Sequence, residues 1–328
     1  MLLAFSLLAS SPNLLHRNQD YLNDPCRFKD NGMSMKILKG FSKWEDSVLI
    51  SGGIVVTIMT IIFITTDLDI IIMNLGYDPI GPERFPIGER QPWQFLLHYM
   101  DYIVYGVLAI VLIMLLLGAI KKRFRIFLLY GLFMFISVAV GPGLIVNWVF
   151  KGREWGDFYF GWGRPRPREM IPWGGERPFY HLWEPAFLFG ETGESFPAGH
   201  PTAGLVIITV FYIFRHPDFL ARLVTGDSGE MGGLKWNKPF KLFTIFKFTG
   251  LVGSTVLGIM FGIGRIVQGA HFASDVMYSF VFTWVPTALL YHFVFRLPVV
   301  ESRVMANMSS QDLKDPAGDH QEDNLQDG

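Results

Sequence analysis

Cysteine is nearly absent from this sequence: Cys26 is the only one among 328 residues. A lone cysteine cannot close a disulfide within the chain, and a metal site built from several cysteines is excluded. The fold must therefore be stabilised by packing and by polar contacts between other side chains.

Charged residues are also scarce. They make up 17% of the chain, whereas 50% of the residues are hydrophobic and the mean hydropathy is +0.31. This composition is too apolar for an ordinary soluble protein and predicts an integral membrane protein. The formal net charge of −1 shows none of the basic excess that nucleic-acid-binding proteins carry. We therefore expect a lipid bilayer as partner, and no nucleic acid.

Six stretches are long and apolar enough to cross a bilayer, whose core of about 30 Å takes ~20 helical residues. They are residues 47–66, 102–120, 126–150, 201–214, 243–262 and 276–295. The sequence thus predicts an all-α, integral membrane six-helix bundle at residues 47–296. An N-terminal cytoplasmic segment (1–46, with Met33 or Met35 as a hypothetical start) precedes it, and a disordered acidic cytoplasmic tail (297–328) follows.

Lysine and arginine in short loops indicate the cytoplasmic side of a membrane. Residues 121–125 read KKRFR, so this loop is predicted to be cytoplasmic. Loops 67–101 and 151–200 then lie outside, and the basic loop 215–242 lies inside. The basic residues of loop 151–200 depart from this rule, which long loops obey weakly, and they are candidates for a chemical role.

The segment from Gly264 to Asp275 is the most specific candidate for chemistry. His271 and Asp275 are four positions apart, so within a helix they share a face, and the carboxylate can hold one ring nitrogen while the other faces a substrate. A histidine nucleophile is oriented in this way. Arg265 reaches the same side only if the helix breaks near Gly269. The alternative is a histidine at the membrane edge followed by a helix cap.

Residues 195–201 read SFPAGHP and stand directly before the fourth apolar stretch. Proline suits the first turn of a helix, and with Pro201 there the preceding amides face outward at the positive end of the helix dipole. These amides belong to Ala198, Gly199 and His200, and they predict an anion site with an imidazole beside it. The alternative is a loop that proline and glycine merely punctuate.

Lys151 follows the third apolar stretch, and residues 163–168 read GRPRPR. The prolines hold this loop extended, and guanidinium groups match phosphate oxygens in pairs. Lys151, Arg164 and Arg166 are therefore candidates to clamp a phosphate. The alternative is a basic patch on anionic headgroups, with Lys151 as an anchor at the membrane surface.

The predicted topology places all three segments at the outer face. Together they supply a nucleophilic histidine with its carboxylate, a second histidine for proton transfer, and several cations for a substrate that carries two negative charges. This coincidence favours the chemical interpretation over the three separate alternatives.

The segments resemble the signature motifs of the type 2 phosphatidic acid phosphatase superfamily, which are Lys-x6-Arg-Pro, Pro-Ser-Gly-His and Ser-Arg-x5-His-x3-Asp. The third motif matches at Arg265, His271 and Asp275, with Gly264 in the place of serine. The spacing of that motif is intact, so the resemblance is carried mainly there.

The other two motifs depart further from the family pattern. The second is present in residues 197–200, with Ala198 in the place of serine. In the first, Lys151 precedes Arg166 by fifteen positions where the family has seven. Residues 152–162 therefore resemble an insertion, and Arg166 is the expected motif arginine.

The resemblance implies a two-step reaction without metal or cofactor. In that reaction His271 attacks phosphorus, Asp275 steadies its ring, and His200 transfers the proton. The implied substrate-binding residues are Arg265, Arg166, Arg164, Lys151, Ala198 and Gly199.

Tryptophans at the outer face favour a lipid substrate, because this side chain anchors at membrane interfaces. They are Trp148, Trp155, Trp162, Trp173 and Trp183. The outer loop is most similar to that of bacterial family members that act on envelope lipids, including lipid A phosphatases and undecaprenyl pyrophosphate phosphatases. The implied substrate is a lipid phosphate or lipid pyrophosphate, and the implied location is the bacterial inner membrane with the active site facing the periplasm.

Three alternatives stay open at this point. A phosphotransferase of the same family would pass the phosphate to a second lipid. A transporter would bind anionic headgroups without chemistry, although transporters usually carry ionisable groups at mid-membrane depth and the predicted spans have almost none. A metal-dependent hydrolase would need clustered ligands, and the many acidic residues of loop 151–200 leave a structural cation open.

Overall fold

The structure is a computed structural model that describes residues 52–155, 158–225 and 234–312. Among the described residues, 52–57 at the start of the first helix belong to a separate compact unit, and the site described below lies entirely in the other unit. The predicted N-terminal segment 1–46 lies outside the described residues, as does the tail beyond Asp312.

Helices dominate the regular structure of the described residues. Four of them are long and apolar enough to cross a membrane: Trp93–Ile120, Ile126–Phe150, Lys238–Val267 and Ala273–Val294. Two further pairs pass the same test together but are bent, Gly52–Thr65 with Leu68–Asn74 by 80° and His200–Ile213 with Pro217–Thr225 by 66°. The predicted all-α membrane fold is confirmed, with four spans, or up to six if each bent pair is one span.

We number the helices in chain order. They are α1 (Gly52–Thr65), α2 (Leu68–Asn74), α3 (Trp93–Tyr99), α4 (Asp101–Ile120), α5 (Ile126–Val138), α6 (His200–Leu205), α7 (Ile208–Ile213), α8 (Pro217–Thr225), α9 (Leu234–Val267), α10 (Ala273–Leu289) and α11 (Leu297–Asp312). π-Helical segments extend α5 over Ala139–Phe150 and α10 over Leu290–Val294.

A short hairpin follows the end of the third span. Its strands, β1 (Arg153–Trp155) and β2 (Phe158–Phe160), pair antiparallel with Glu154 opposite Tyr159. The amide of Trp162 then donates to the carbonyl of Phe150 at 2.8 Å. The chain therefore returns at Trp162 to the end of the helix that it left at Phe150.

Backbone hydrogen bonds join parts of loop 151–200 to each other and to the segment before α10. The amides of Gly193 and Ser195 donate to the carbonyls of Gly163 and Arg164 at 2.9 and 2.8 Å, and the amide of Arg168 donates to the carbonyl of Gly269 at 2.9 Å. The three predicted motif segments are thus joined by main-chain contacts.

Glycine lets α9 approach α6 and α7 closely. A Cβ atom on Gly204 would lie 2.8 Å from the backbone nitrogen of Gly258, and one on Gly250 would lie 2.4 Å from that of Phe211. In lipid the hydrophobic effect does not drive helices together, so membrane helices associate largely through close van der Waals packing, which such small residues allow.

The prediction of a disordered tail from residue 297 is wrong for its first part, because Leu297–Asp312 is helical. Leu297 is fully buried, and the buried carboxylate of Glu301 accepts hydrogen bonds from the hydroxyls of Tyr130 at 2.6 Å and Tyr291 at 3.3 Å. Composition alone suggested disorder, but these long-range contacts anchor the helix to the bundle.

Burial raises the pKa of Glu301 from 4.5 to about 7. A carboxyl group with a raised pKa contributes stability that is complete below its ordinary pKa and is lost as pH rises through the folded value. We expect the melting temperature of the wild type in detergent to fall between about pH 4.5 and pH 7 relative to that of Glu301→Gln, which cannot ionise. Glu83→Gln, an exposed control, should follow the wild type; parallel curves for all three proteins would contradict the assignment.

Candidate active site

His271 lies in a turn between α9 and α10. Helix α9 ends at Val267, and Gly269 follows with a φ of +60°. A side chain there would also collide with the ring of Phe85, 2.3 Å from the position of its Cβ. The predicted helix break near Gly269 is present in the structure, and it brings His271 to the same region as Arg265.

The ring of His271 is held through one nitrogen. The side chain is 1% exposed, and its Nδ1 lies 2.6 Å from the carbonyl oxygen of Ser195. Because a carbonyl can only accept a hydrogen bond, Nδ1 carries the proton, and Nε2 of the neutral ring keeps its lone pair. This is the tautomer that a histidine nucleophile requires.

Burial lowers the pKa of His271 well below its usual value, and the nearby charges of Lys151 and Arg265 lower it further. The ring is therefore neutral at physiological pH, so the lone pair on Nε2 is available. Anchoring and electrostatics together favour the nucleophilic form.

The sequence predicts that Asp275 holds the ring of His271, but in the structure its carboxylate binds other groups. Because the histidine precedes the first residue of α10, Ala273, the spacing of four does not place the two side chains on one helical face. One carboxylate oxygen of Asp275 accepts the Ser195 hydroxyl at 2.6 Å and the Phe272 amide at 2.9 Å. Ser195, which the sequence analysis did not single out, thus connects the carboxylate to the nucleophile.

Arg164 lies in the protein interior, fully buried. Its guanidinium donates to Asp69 at 3.0 Å, to Asp275 at 2.8 Å and to the Ser274 hydroxyl at 3.0 Å, and its Nε donates to the Tyr180 carbonyl at 3.0 Å. It also lies 3.9 Å from the centre of the Phe272 ring. These contacts occupy the group, so the predicted phosphate contact is replaced by a structural role.

Lys151 reaches the site despite its unusual spacing. Its Nζ lies 2.8 Å from where a Cβ atom on Gly199 would be, so it stands beside the second motif. The hairpin explains how, since the chain leaves and returns next to Phe150. Burial lowers the pKa of Lys151 to about 8, with Arg166 and Arg265 lowering it and Glu194 opposing them.

Arg166 and Arg265 complete the group of cations. Arg166 donates to the Glu194 carboxylate at 2.8 Å, and Arg265 donates to the Gln268 side chain at 2.7 Å. The Nε atoms of both are buried and have no hydrogen-bond partner among the described residues. An unpaired buried donor is unfavourable, so both side chains are suited to a ligand that supplies oxygen atoms.

His200 begins helix α6, and its ring centre lies 6.3 Å from that of His271. The amide of Ala198 donates to the carbonyl of Asp275 at 3.2 Å. The predicted role of this amide in anion binding is therefore corrected to a structural one. Because Gly199 has no side chain, the ammonium group of Lys151 can lie next to its backbone.

A narrow opening lies beside these residues. Its polar lining includes His200, Arg265 and Gln268. Its apolar lining comes mostly from α3 and the residue that follows it: Trp93, Leu96, Leu97 and Met100, together with Phe261 of α9. A Cβ atom on Gly264 would lie 3.3 Å from Cε3 of Trp93. The sequence analysis missed α3, because nothing in its residues marks it as part of a site.

Acidic residues of the outer loop pair with arginines. Glu194 binds Arg166 at 2.8 Å, and Arg177 lies 3.7 Å from both Glu169 and Glu191. No group of three or more His, Cys, Asp or Glu side chains suited to a metal ion occurs in the part of the chain that the structure describes.

The sequence matches known phosphatases over the region that holds most of this site. The sequence profile of the PAP2 superfamily, the type 2 phosphatidic acid phosphatases, matches residues 157–298. The chain is 28% identical over 198 residues to the lipid A 4'-phosphatase of Francisella tularensis subsp. novicida (strain U112), which covers 57% of this chain and 69% of that protein. No solved structure matches. Residues 157–298, which hold His200, Arg265 and His271, thus match the PAP2 superfamily.

Proposed function

We propose that this multi-pass membrane protein is a metal-independent lipid phosphatase that acts through a phosphohistidine on His271. The observation that carries the proposal is the geometry of this residue: a neutral ring anchored through Nδ1, with its pKa lowered by burial and further by the cations Lys151 and Arg265. A lipid phosphatase is also supported by the PAP2 match and the lipid A 4'-phosphatase relative.

The reaction has two steps. In the first, the Nε2 lone pair of His271 attacks phosphorus, the bond from phosphorus to the lipid oxygen breaks, and His200 gives that oxygen a proton. His200 lies close to the charges of Arg265, Lys151 and Arg166, so it takes up this proton from solvent when the phosphate dianion binds and offsets those charges. In the second, water attacks the phosphohistidine while His200 takes a proton from it, which frees His271 and releases phosphate. Arg265, Arg166 and Lys151 stabilise the charge on the phosphoryl oxygens.

Ser195 serves the first step. As positive charge develops on the His271 ring, the hydrogen bond from Nδ1 to the Ser195 carbonyl strengthens. Asp275, which accepts the Ser195 hydroxyl, fixes that carbonyl in place. The carboxylate thus acts on the nucleophile through Ser195.

A phosphate on an envelope lipid of the lipid A type is the substrate we propose. The apolar wall from α3 lies directly beside His200 and Arg265, so a molecule with a phosphate at one end and hydrocarbon at the other fits the two kinds of surface. The protein would then act at the outer face of a bacterial inner membrane, with its site open to the periplasm.

The first test is phosphate release by the purified full-length protein in detergent with EDTA, from lipid A, undecaprenyl pyrophosphate and phosphatidic acid. We expect His271→Ala to lose more than about 10³-fold in kcat, because the nucleophile is gone. His181→Ala, which alters another outer-loop histidine, should remain active. Near-normal turnover by His271→Ala would reject the proposal, and lipid-to-lipid transfer without free phosphate would replace hydrolysis by phosphotransfer.

Lys151 should contribute to phosphate binding, because the hairpin brings the segment that leads to Arg166 back beside it. We expect Lys151→Ala to lower kcat about 10²- to 10³-fold, as for loss of one oriented donor, with exposed Lys122→Ala as the control. Since the pKa of Lys151 is about 8, its positive charge is lost above that pH. The wild type should therefore lose activity as pH rises through 8, and Lys151→Arg should move this limb to higher pH. An unchanged limb would remove Lys151 from the charge-binding group.

If the apolar wall binds the hydrocarbon part of the substrate, a substitution in it should weaken activity on a lipid more than activity on a soluble phosphate ester. Trp93→Ala removes about 1.5–3 kcal/mol of apolar contact, so KM for the lipid should rise roughly 10-fold or more. Turnover of p-nitrophenyl phosphate, which has no acyl chain, should stay within about twofold. Phe95→Ala, on an exposed face of the same helix, serves as the control. An equal loss on both substrates would mean that Trp93 supports the site and does not contact the lipid.

A further inference from the structure

We infer that Asp69 is a positioning residue for the nucleophile, although it lies on α2, far outside the residues that match the PAP2 superfamily. The inference rests on the proposed function, because it concerns the same reaction. Asp69 touches neither substrate nor His271, and it acts through the residues that hold His271.

The carboxylate of Asp69 is buried, and both of its oxygens are used. Oδ1 accepts the amide of Ser274 at 3.0 Å. Oδ2 accepts Nη2 of Arg164 at 3.0 Å and the Ser274 hydroxyl. A single side chain from α2 therefore fixes both the first turn of α10 and the buried arginine.

From Arg164 an unbroken series of hydrogen bonds leads to the nucleophile. Arg164 donates to one oxygen of Asp275 at 2.8 Å, and the other oxygen accepts the Ser195 hydroxyl at 2.6 Å. The Ser195 carbonyl then lies 2.6 Å from Nδ1 of His271. Each contact is short and buried, so a displacement of Arg164 is passed on to the ring.

The charge of Asp69 also matters. Arg164 and Asp275 alone would be neutral, whereas Asp69 makes the buried group of three net negative. A buried excess charge is unfavourable unless an opposite charge lies near it. The ring of His271 gains positive charge when it bonds to phosphorus, so the negative group behind it is complementary to the covalent intermediate. Asp69 thus favours the step in which the phosphohistidine forms.

The bend between α1 and α2 brings Asp69 to this place. The two helices meet at 80°, and Asp67, in the bend, is exposed. The neighbouring aspartate therefore offers a matched control: the same chemical change, two residues away, outside the buried group.

The test compares Asp69→Asn, Asp67→Asn and wild type in full-length protein in detergent, with kcat and KM measured on the lipid that the wild type hydrolyses. We expect Asp69→Asn to lower kcat about 10- to 100-fold, the range for partners that orient a reactive histidine, with KM within about threefold because no phosphate contact is lost. Formation of the phosphoenzyme in a single turnover should slow by the same factor. Asp67→Asn should match the wild type.

Wild-type kcat in Asp69→Asn would overturn the inference, as would a loss that lies entirely in KM. If Asp69→Asn does not fold, as judged by its melting curve, Ser274→Ala decides, since it removes one donor to Asp69 and leaves the carboxylate in place. A fall in kcat of about 3- to 10-fold is then expected, smaller than for Asp69→Asn because only one donor is lost, and an unchanged kcat overturns the inference. A wild type that hydrolyses no lipid would instead reject the proposed function, and the inference with it.

Discussion

The buried guanidinium of Arg164 joins parts of the chain that are far apart in sequence. It binds Asp69 of α2, Asp275 of α10 and the carbonyl of Tyr180 in the outer loop. Removing one member of a buried ion pair leaves an uncompensated charge and typically costs about 3–5 kcal/mol. The position of the loop relative to the helices, and with it the place of His271, depends on this contact.

The charges of the site are arranged on two sides of His271. The group of Asp69, Arg164 and Asp275 is net negative, and the group of Lys151, Arg166 and Arg265 is positive with Glu194 as a partial partner. Burial lowers the pKa of Lys151 to about 8, and the charges of Arg166 and Arg265 add to this effect while Glu194 opposes it. A phosphate dianion would supply the missing negative charge, so the electrostatics of the protein favour such a ligand before any reaction occurs.

Much of the fold follows from the sequence, because long apolar stretches have few structural solutions in a membrane. The predicted stretch 126–150 matches the span Ile126–Phe150, and the stretches 243–262 and 276–295 fall within or beside observed spans. The helix from Leu297 escaped prediction because its stability comes from Glu301, whose tyrosine partners on other helices leave no local pattern.

The site was predictable where spacing along the chain determines geometry. The turn at Gly269 follows from the need to place Arg265 near His271. By contrast, the choice between Arg164 and Arg166 depends on Asp69, which is 95 positions from Arg164, and no local pattern reports such a partner. The predicted contact between Asp275 and His271 was wrong for a related reason. A spacing of four implies a shared face only if one helix includes both residues, and α10 begins two residues after His271.

The division of labour between segments has a further consequence. The chemical groups His200, Arg265 and His271 belong to residues 157–298, which match the PAP2 superfamily, whereas the apolar wall comes from α3, with Trp93 against the position of Gly264. Under the proposed function, the hydrocarbon part of the lipid is thus contacted by a helix outside residues 157–298, although Arg265 of that region lines the same opening.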